Sequence, residues 1–143
     1  MSDLYEIDIL AWSEEQAARL RRVAATDRLN EESPDWPNII EEIEDVGRSS
    51  LRAVRSLLTQ ALVHMLKAEA WPTSPAAPGW QAEARLFRRE ARDEFTPSMR
   101  QRIDLAKLYA NALVGLPDTI DGHPPLPVPP QCPVTLDELL SED

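Results

Sequence analysis

Between residues 39 and 68 the apolar positions return every three or four residues. Ile43, Val46, Ser50, Val54, Leu57, Ala61, Met65 and Ala68 step without a slip, and Ile39, Ile40, Gly47, Leu51, Leu58 and Leu62 widen the stripe. That period predicts an amphipathic helix. Pro37 suits the first position of a helix, and no proline follows before Pro72. The predicted helix covers about 38–71, roughly 50 Å at 1.5 Å per residue. Gly47-Arg48-Ser49-Ser50 is a candidate kink, since Gly and Ser pairs are common kink sites.

The same periodicity predicts three further helices. Ser13 and Gln16 have capping-box spacing, with Ala17, Leu20 and Ala24 following, so a helix is expected over about 13–26. Leu4, Ile7 and Leu10 fall on one helical face, which favours a helical turn before it. Trp80, Ala84, Phe87, Ala91 and Phe95 mark a helix over about 80–95. Thr96-Pro97 reads as a cap followed by an N1 proline. It starts a helix with Met99, Ile103, Ala106, Ala110 and Leu113 inward, stopped by Gly115. Residues 116–135 are rich in proline and are expected to be an extended strap. Thr135 and Glu138 again have capping-box spacing, so a short helix is expected over about 136–141. The expected architecture is all-α: about four main helices bundled around one long central helix, in a single helical domain over residues 1–143.

Composition narrows this further. With 143 residues and 43% hydrophobic content, the chain is long enough and apolar enough for one core. Its net charge is −10. Residues 1–46 carry thirteen acids against four arginines. Residues 47–110 carry eleven basic side chains against six acids, and residues 111–143 carry six acids and no base. A basic middle between acidic ends predicts intramolecular pairing and disfavours a free nucleic-acid stripe. Cys132 is the single cysteine. With no secretory leader and no apolar run of ~20 residues, a cytoplasmic protein without a membrane segment is expected.

The candidate chemistry is sparse. NIIEEIEDVGRSS, residues 38–50, concentrates acids at the start of the long helix, where negative charge favours the helix dipole. Glu41 and Asp45 lie far from the apolar stripe and Glu42 lies on its flank. His64 sits on the same flank, with Lys67 one turn on. Glu42 and His64 are about 33 Å apart along a straight helix, so they share a site only across subunits or through other elements. The chain has no Glu-x-x-His and no His-x-x-x-His. Two histidines and one cysteine do not make a zinc site, so neither a metal nor a cofactor is expected. The candidate catalytic residues are Glu41, Glu42, His64 and Lys67, with His64 as the general base. Arg85, Arg88, Arg89 and Arg92 form a basic face that serves either a phosphate backbone or the acidic segments. PPLPVPPQCP, residues 124–133, has the composition of a polyproline ligand, but a strap across the bundle accounts for it.

Several of these segments occur together in one known family. Leu4-Tyr5-Glu6 through Asp8 and Ala11-Trp12, Ile40-Glu41-Glu42-Ile43-Glu44 with Gly47-Arg48-Ser49, His64-Met65-Leu66-Lys67, and Cys132-Pro133-Val134-Thr135-Leu136 with Leu139-Leu140 resemble the bacterial DUF29 proteins, a domain of unknown function. The resemblance implies an all-helical bacterial domain and no particular activity. A helix that outruns its domain needs cover for its stripe, so a homodimer is expected. Three functions follow from the sequence. One is a non-enzymatic interaction or accessory protein with a protein partner. A second is an enzyme or metal-binding protein with a polar site around Glu41, Glu42 and His64. The third is a weak nucleic-acid binder through Arg85–Arg92.

Overall fold

A computed structural model of the chain describes residues 3–142. Its helices are α1 (Leu4–Ile7), α2 (Ile9–Thr26), α3 (Trp36–Ala70), α4 (Ala77–Glu94), a 3-10 helix (Pro97–Arg102), α5 (Leu105–Val114) and α6 (Leu136–Leu139). Among the described residues there is no strand, only an isolated bridge between Ile120 and His123. The all-α class and the long central helix expected from the periodicity are both present. No described helix is long and apolar enough to cross a membrane.

The chain divides into two compact units. One comprises the chain up to Arg52 with Phe95–Arg102, the other Ala53–Glu94 with the chain from Ile103 onward. In the first unit, α2 starts earlier than its sequence suggests. Its N-cap is Asp8, whose carboxylate accepts from the Ala11 backbone N–H at 3.0 Å. Ser13, the expected cap, is fully buried inside the helix, and its hydroxyl donates to the Leu10 carbonyl. The apolar face of residues 4–11 was strong enough to extend the helix, and Asp caps as well as Ser does.

The reason for a small polar residue at 13 lies on α3. A Cβ added at Gly47 would stand 2.0 Å from Ser13 Oγ and 3.1 Å from Leu10 Cα. Gly47 therefore allows close approach between α2 and α3 and is not a break; α3 is helical without interruption from Trp36 to Ala70. The unit's buried side chains include Leu10, Ala17, Ile40, Leu51 and Met99.

The helix expected from Thr96 to Leu113 is two elements. Thr96 does not cap it. Its hydroxyl donates to Asp8 at 2.9 Å, and the Ser98 backbone N–H and hydroxyl donate to the same carboxylate at 2.7 Å each. This ties Pro97–Arg102 down as a 3-10 turn, and Asp104 caps a fresh start at α5 by accepting from Lys107 N–H. Gly115 ends α5 in a right-handed conformation (φ −77°), not the left-handed one its identity suggests.

In the second unit Val54, Leu58, Ala61, Leu62 and Leu66 of α3 are buried with Ala84 and Ala91 of α4 and Leu108, Tyr109 and Ala112 of α5. The strap is held at three backbone points. Trp71 Nε1 donates to the His123 carbonyl at 2.9 Å, Leu126 N–H donates to the Ala70 carbonyl at 2.9 Å, and the Tyr109 hydroxyl donates to the Pro129 carbonyl. It is not extended throughout. Asp121 (φ 53°) and Gly122 (φ 79°) turn it tightly, with Ile120 and His123 exchanging backbone hydrogen bonds, as a two-residue hairpin turn requires. Thr135 and Glu138 form the expected capping box, and α6 ends at Leu139 with that side chain buried.

Candidate functional site

The four candidate catalytic residues are divided between the two units. Glu41 and Glu42 belong to the first unit, His64 and Lys67 to the second. In the first unit, Arg48 collects the acids of the α3 start. Its guanidinium lies 2.7 Å from Glu41 and 2.7 Å from Asp45. Spacings of seven and three residues put all three on one helix face. Glu44 pairs instead with Arg21 of α2. The three neighbouring acids hold the Arg48 pKa above its ordinary value, the Asp45 hydrogen bond most of all. Glu42 is exposed.

In the second unit, α3 and α4 bring together a polar and aromatic cluster. His64 Nδ1 lies 2.7 Å from the Gln60 carbonyl one turn earlier, and Nε2 lies 2.6 Å from the Glu83 carboxylate on α4. The ring leans on Phe87 with centroids 5.2 Å apart, and the side chain is only 13% exposed. Lys67 places its ammonium 6.0 Å from the centre of the Trp80 ring, within reach of a cation–π contact. Helical spacing explains the set: Glu83 and Phe87 are one turn apart on α4, as His64 and Lys67 nearly are on α3.

A base or a metal ligand needs a ring nitrogen with a free lone pair. Both nitrogens of His64 face protein acceptors, the Gln60 carbonyl and the Glu83 carboxylate. Among the described residues no three His, Cys, Asp or Glu side chains are grouped to hold a metal ion.

The basic face of α4 has a structural task. Arg88 Nε donates to the Leu139 carbonyl at 3.0 Å and its Nη2 to the Glu138 carbonyl at 2.9 Å, while Arg92 Nη1 donates to the Ser141 carbonyl at 2.7 Å. Two guanidinium groups thus bind carbonyls at and just beyond the end of α6, where positive charge also favours the helix dipole. Sequence reasoning missed Glu83, Arg88 and Asp8 in these roles. Only Asp8 had a local signal, an acid just ahead of a helical stripe. The partners of Glu83 and Arg88 are distant in the chain.

The crystal structure of an alpha-helical protein of unknown function from Rhodospirillum rubrum ATCC 11170 is similar to this one. It has 29% sequence identity and a TM-score of 0.81, covering 100% of this chain and 92% of that one. Comparison with curated proteins finds no match. The family model of the domain of unknown function DUF29 matches residues 4–143. The chain, whose quoted segments already resembled that family, belongs to the DUF29 family.

Proposed function

We propose that the protein is a non-enzymatic interaction module. The observation that carries this reading is the engagement of both ring nitrogens of His64, the candidate base, by groups of the protein itself, the Gln60 carbonyl and the Glu83 carboxylate. The docking surface is the α3 stripe of the first unit. Ile39 (38% exposed) and Val46 (42% exposed) stand two turns apart on one face, with exposed Glu42 between them. Such a stripe fits a basic amphipathic helix, with apolar anchors on Ile39 and Val46 and a cation on Glu42. A second copy, the homodimer expected from the helix length, would bring one acidic segment against another across a two-fold axis, and like charges oppose that pairing. The single free Cys132 suits a reducing cytoplasm, where we place the protein.

A fluorescent peptide with Leu and Lys at helical spacing tests this, beside its Leu and Glu counterpart. The basic peptide binds in a salt-sensitive manner, Val46→Asp abolishes binding and Glu42→Lys weakens it about tenfold, roughly 1.4 kcal/mol. Equal binding of both peptides, no binding, or no effect of either substitution overturns the reading. So does a dimer mass in solution that Val46→Asp collapses, which assigns the stripe to a second copy.

A further inference from the structure

A cleft of about 400 Å³ opens between α3 and α4 in the second unit. Met65 and Ala68 of α3 and Ala84 of α4 give it an apolar lining, and both alanines are buried. Its polar groups are Glu69 from α3, with Gln81 and Arg85 from α4. Glu69 and Arg85 are exposed side chains of opposite charge on facing helices. They line the same cleft, yet neither makes a hydrogen bond or ion pair among the described residues. Arg88 also lines the cleft, one turn from Arg85. Its guanidinium is fixed on the α6 carbonyls, so its charge is a permanent part of the α4 side.

We infer that this cleft binds a small zwitterion with an apolar side chain, of the free α-amino acid class. The carboxylate pairs with Arg85, whose planar fork matches its geometry, in the field of Arg88. The ammonium pairs with Glu69. The side chain lies over Met65, Ala68 and Ala84, where the flexible thioether adapts to its shape. Gln81 supplies one amide donor or acceptor at the rim. A cleft of this size between bundle helices, mostly apolar with a few convergent polar groups, is the usual form of a small-ligand site. A molecule carrying one charge satisfies only one wall. Opposite charges held on two walls without meeting select a ligand that carries both. The cleft beside Cys132, lined by Leu105, Tyr109 and Leu113, has no charged group and makes no such selection.

The probe is L-leucine, followed through the methyl resonances of Met65, Ala68 and Ala84 in the full chain. All three shift saturably at concentrations on the order of 10 mM, an affinity suited to one ligand of this size in an open cleft. 4-Methylpentanoate, which lacks the ammonium, and isopentylamine, which lacks the carboxylate, each bind at least about tenfold more weakly. Glu69→Gln and Arg85→Gln each weaken leucine by a similar factor. Because both side chains are exposed and make no internal bond, both variants melt as wild type does, so a lost shift reports binding and not folding. The inference is overturned if leucine moves none of the three resonances, if the singly charged analogues bind equally, or if the two variants bind leucine as wild type does.

Discussion

At position 64 the side chain works as a staple. The ring joins a carbonyl of its own helix to a carboxylate of α4, so its removal leaves Glu83 without this partner and a gap beside Phe87. His64→Ala is expected to cost about 1–3 kcal/mol, a melting decrease of roughly 3 °C per kcal/mol at this chain length. A thermal melt of wild type and variant measures it; an unchanged melt would return His64 to the list of catalytic candidates. Asp8 makes a sharper prediction. Burial raises its pKa, but the donors of Ser98, Ala11 and Thr96 lower it by more, and the net direction is downward. The lowered folded value means that the contribution of Asp8 is present above the unfolded pKa, near 3.9, and is lost as the pH falls through the folded value. Wild type should therefore lose stability below about pH 4 more steeply than Asp8→Asn, which is already weaker at neutral pH. Parallel slopes for the two in a pH series of melts would contradict this.

The elements are set by a few contacts between distant residues. Alanine in place of a mid-helix glycine ordinarily stabilises by about 1 kcal/mol. At Gly47 the added methyl meets Ser13 Oγ and the Leu10 backbone, so Gly47→Ala is expected to destabilise instead, by about 1–3 kcal/mol. Ser13→Gly in the same chain should recover part of the loss, since it removes the nearer clash but not the Leu10 contact. A double-mutant cycle reads this coupling, and strict additivity would rule it out. At the other end, α6 is a single turn, too short to stand alone. Its capping box and the Arg88 and Arg92 bonds hold it. Arg88→Ala should raise amide hydrogen exchange over residues 136–142 while leaving α3 protected. Protection of α6 equal to wild type would show that Leu139 burial alone suffices. The capping box and the long stripe were visible in sequence because they are local patterns. The split at Thr96–Asp104 was not, because it follows from Asp8 drawing Thr96 and Ser98 to itself from almost ninety positions away.

For the molecule as a whole, charge decides more than shape. A net charge of −10 opposes a phosphate backbone, and Arg88 and Arg92, half of the basic face, already serve carbonyls. The chain is expected to pass a DNA column unretained at low salt. Retention that salt removes, and that Arg85→Ala and Arg89→Ala reduce, would restore the nucleic-acid reading. The basic middle and the acidic N-terminal segment do meet, but selectively: Arg102 pairs with Glu14 and Arg48 with Glu41, while Glu42 is left exposed. Segment balances foretold that pairing would occur. They did not say which acids would remain outside it.

By itself the sequence determined the helical class, the run of α3, the proline boundaries and the family, because each rests on spacing along one chain. Periodicity, capping and proline geometry act over a few residues and need no fold to be read. Only the tertiary structure decided what the polar side chains do. It placed Glu83 on His64, turned Ser13 inward against Gly47 and gave Asp8 four donors. It also left Glu69 and Arg85 facing one cleft without a bond. These outcomes depend on which helix faces which, and that is settled by burial of the apolar stripes and not by the polar residues themselves.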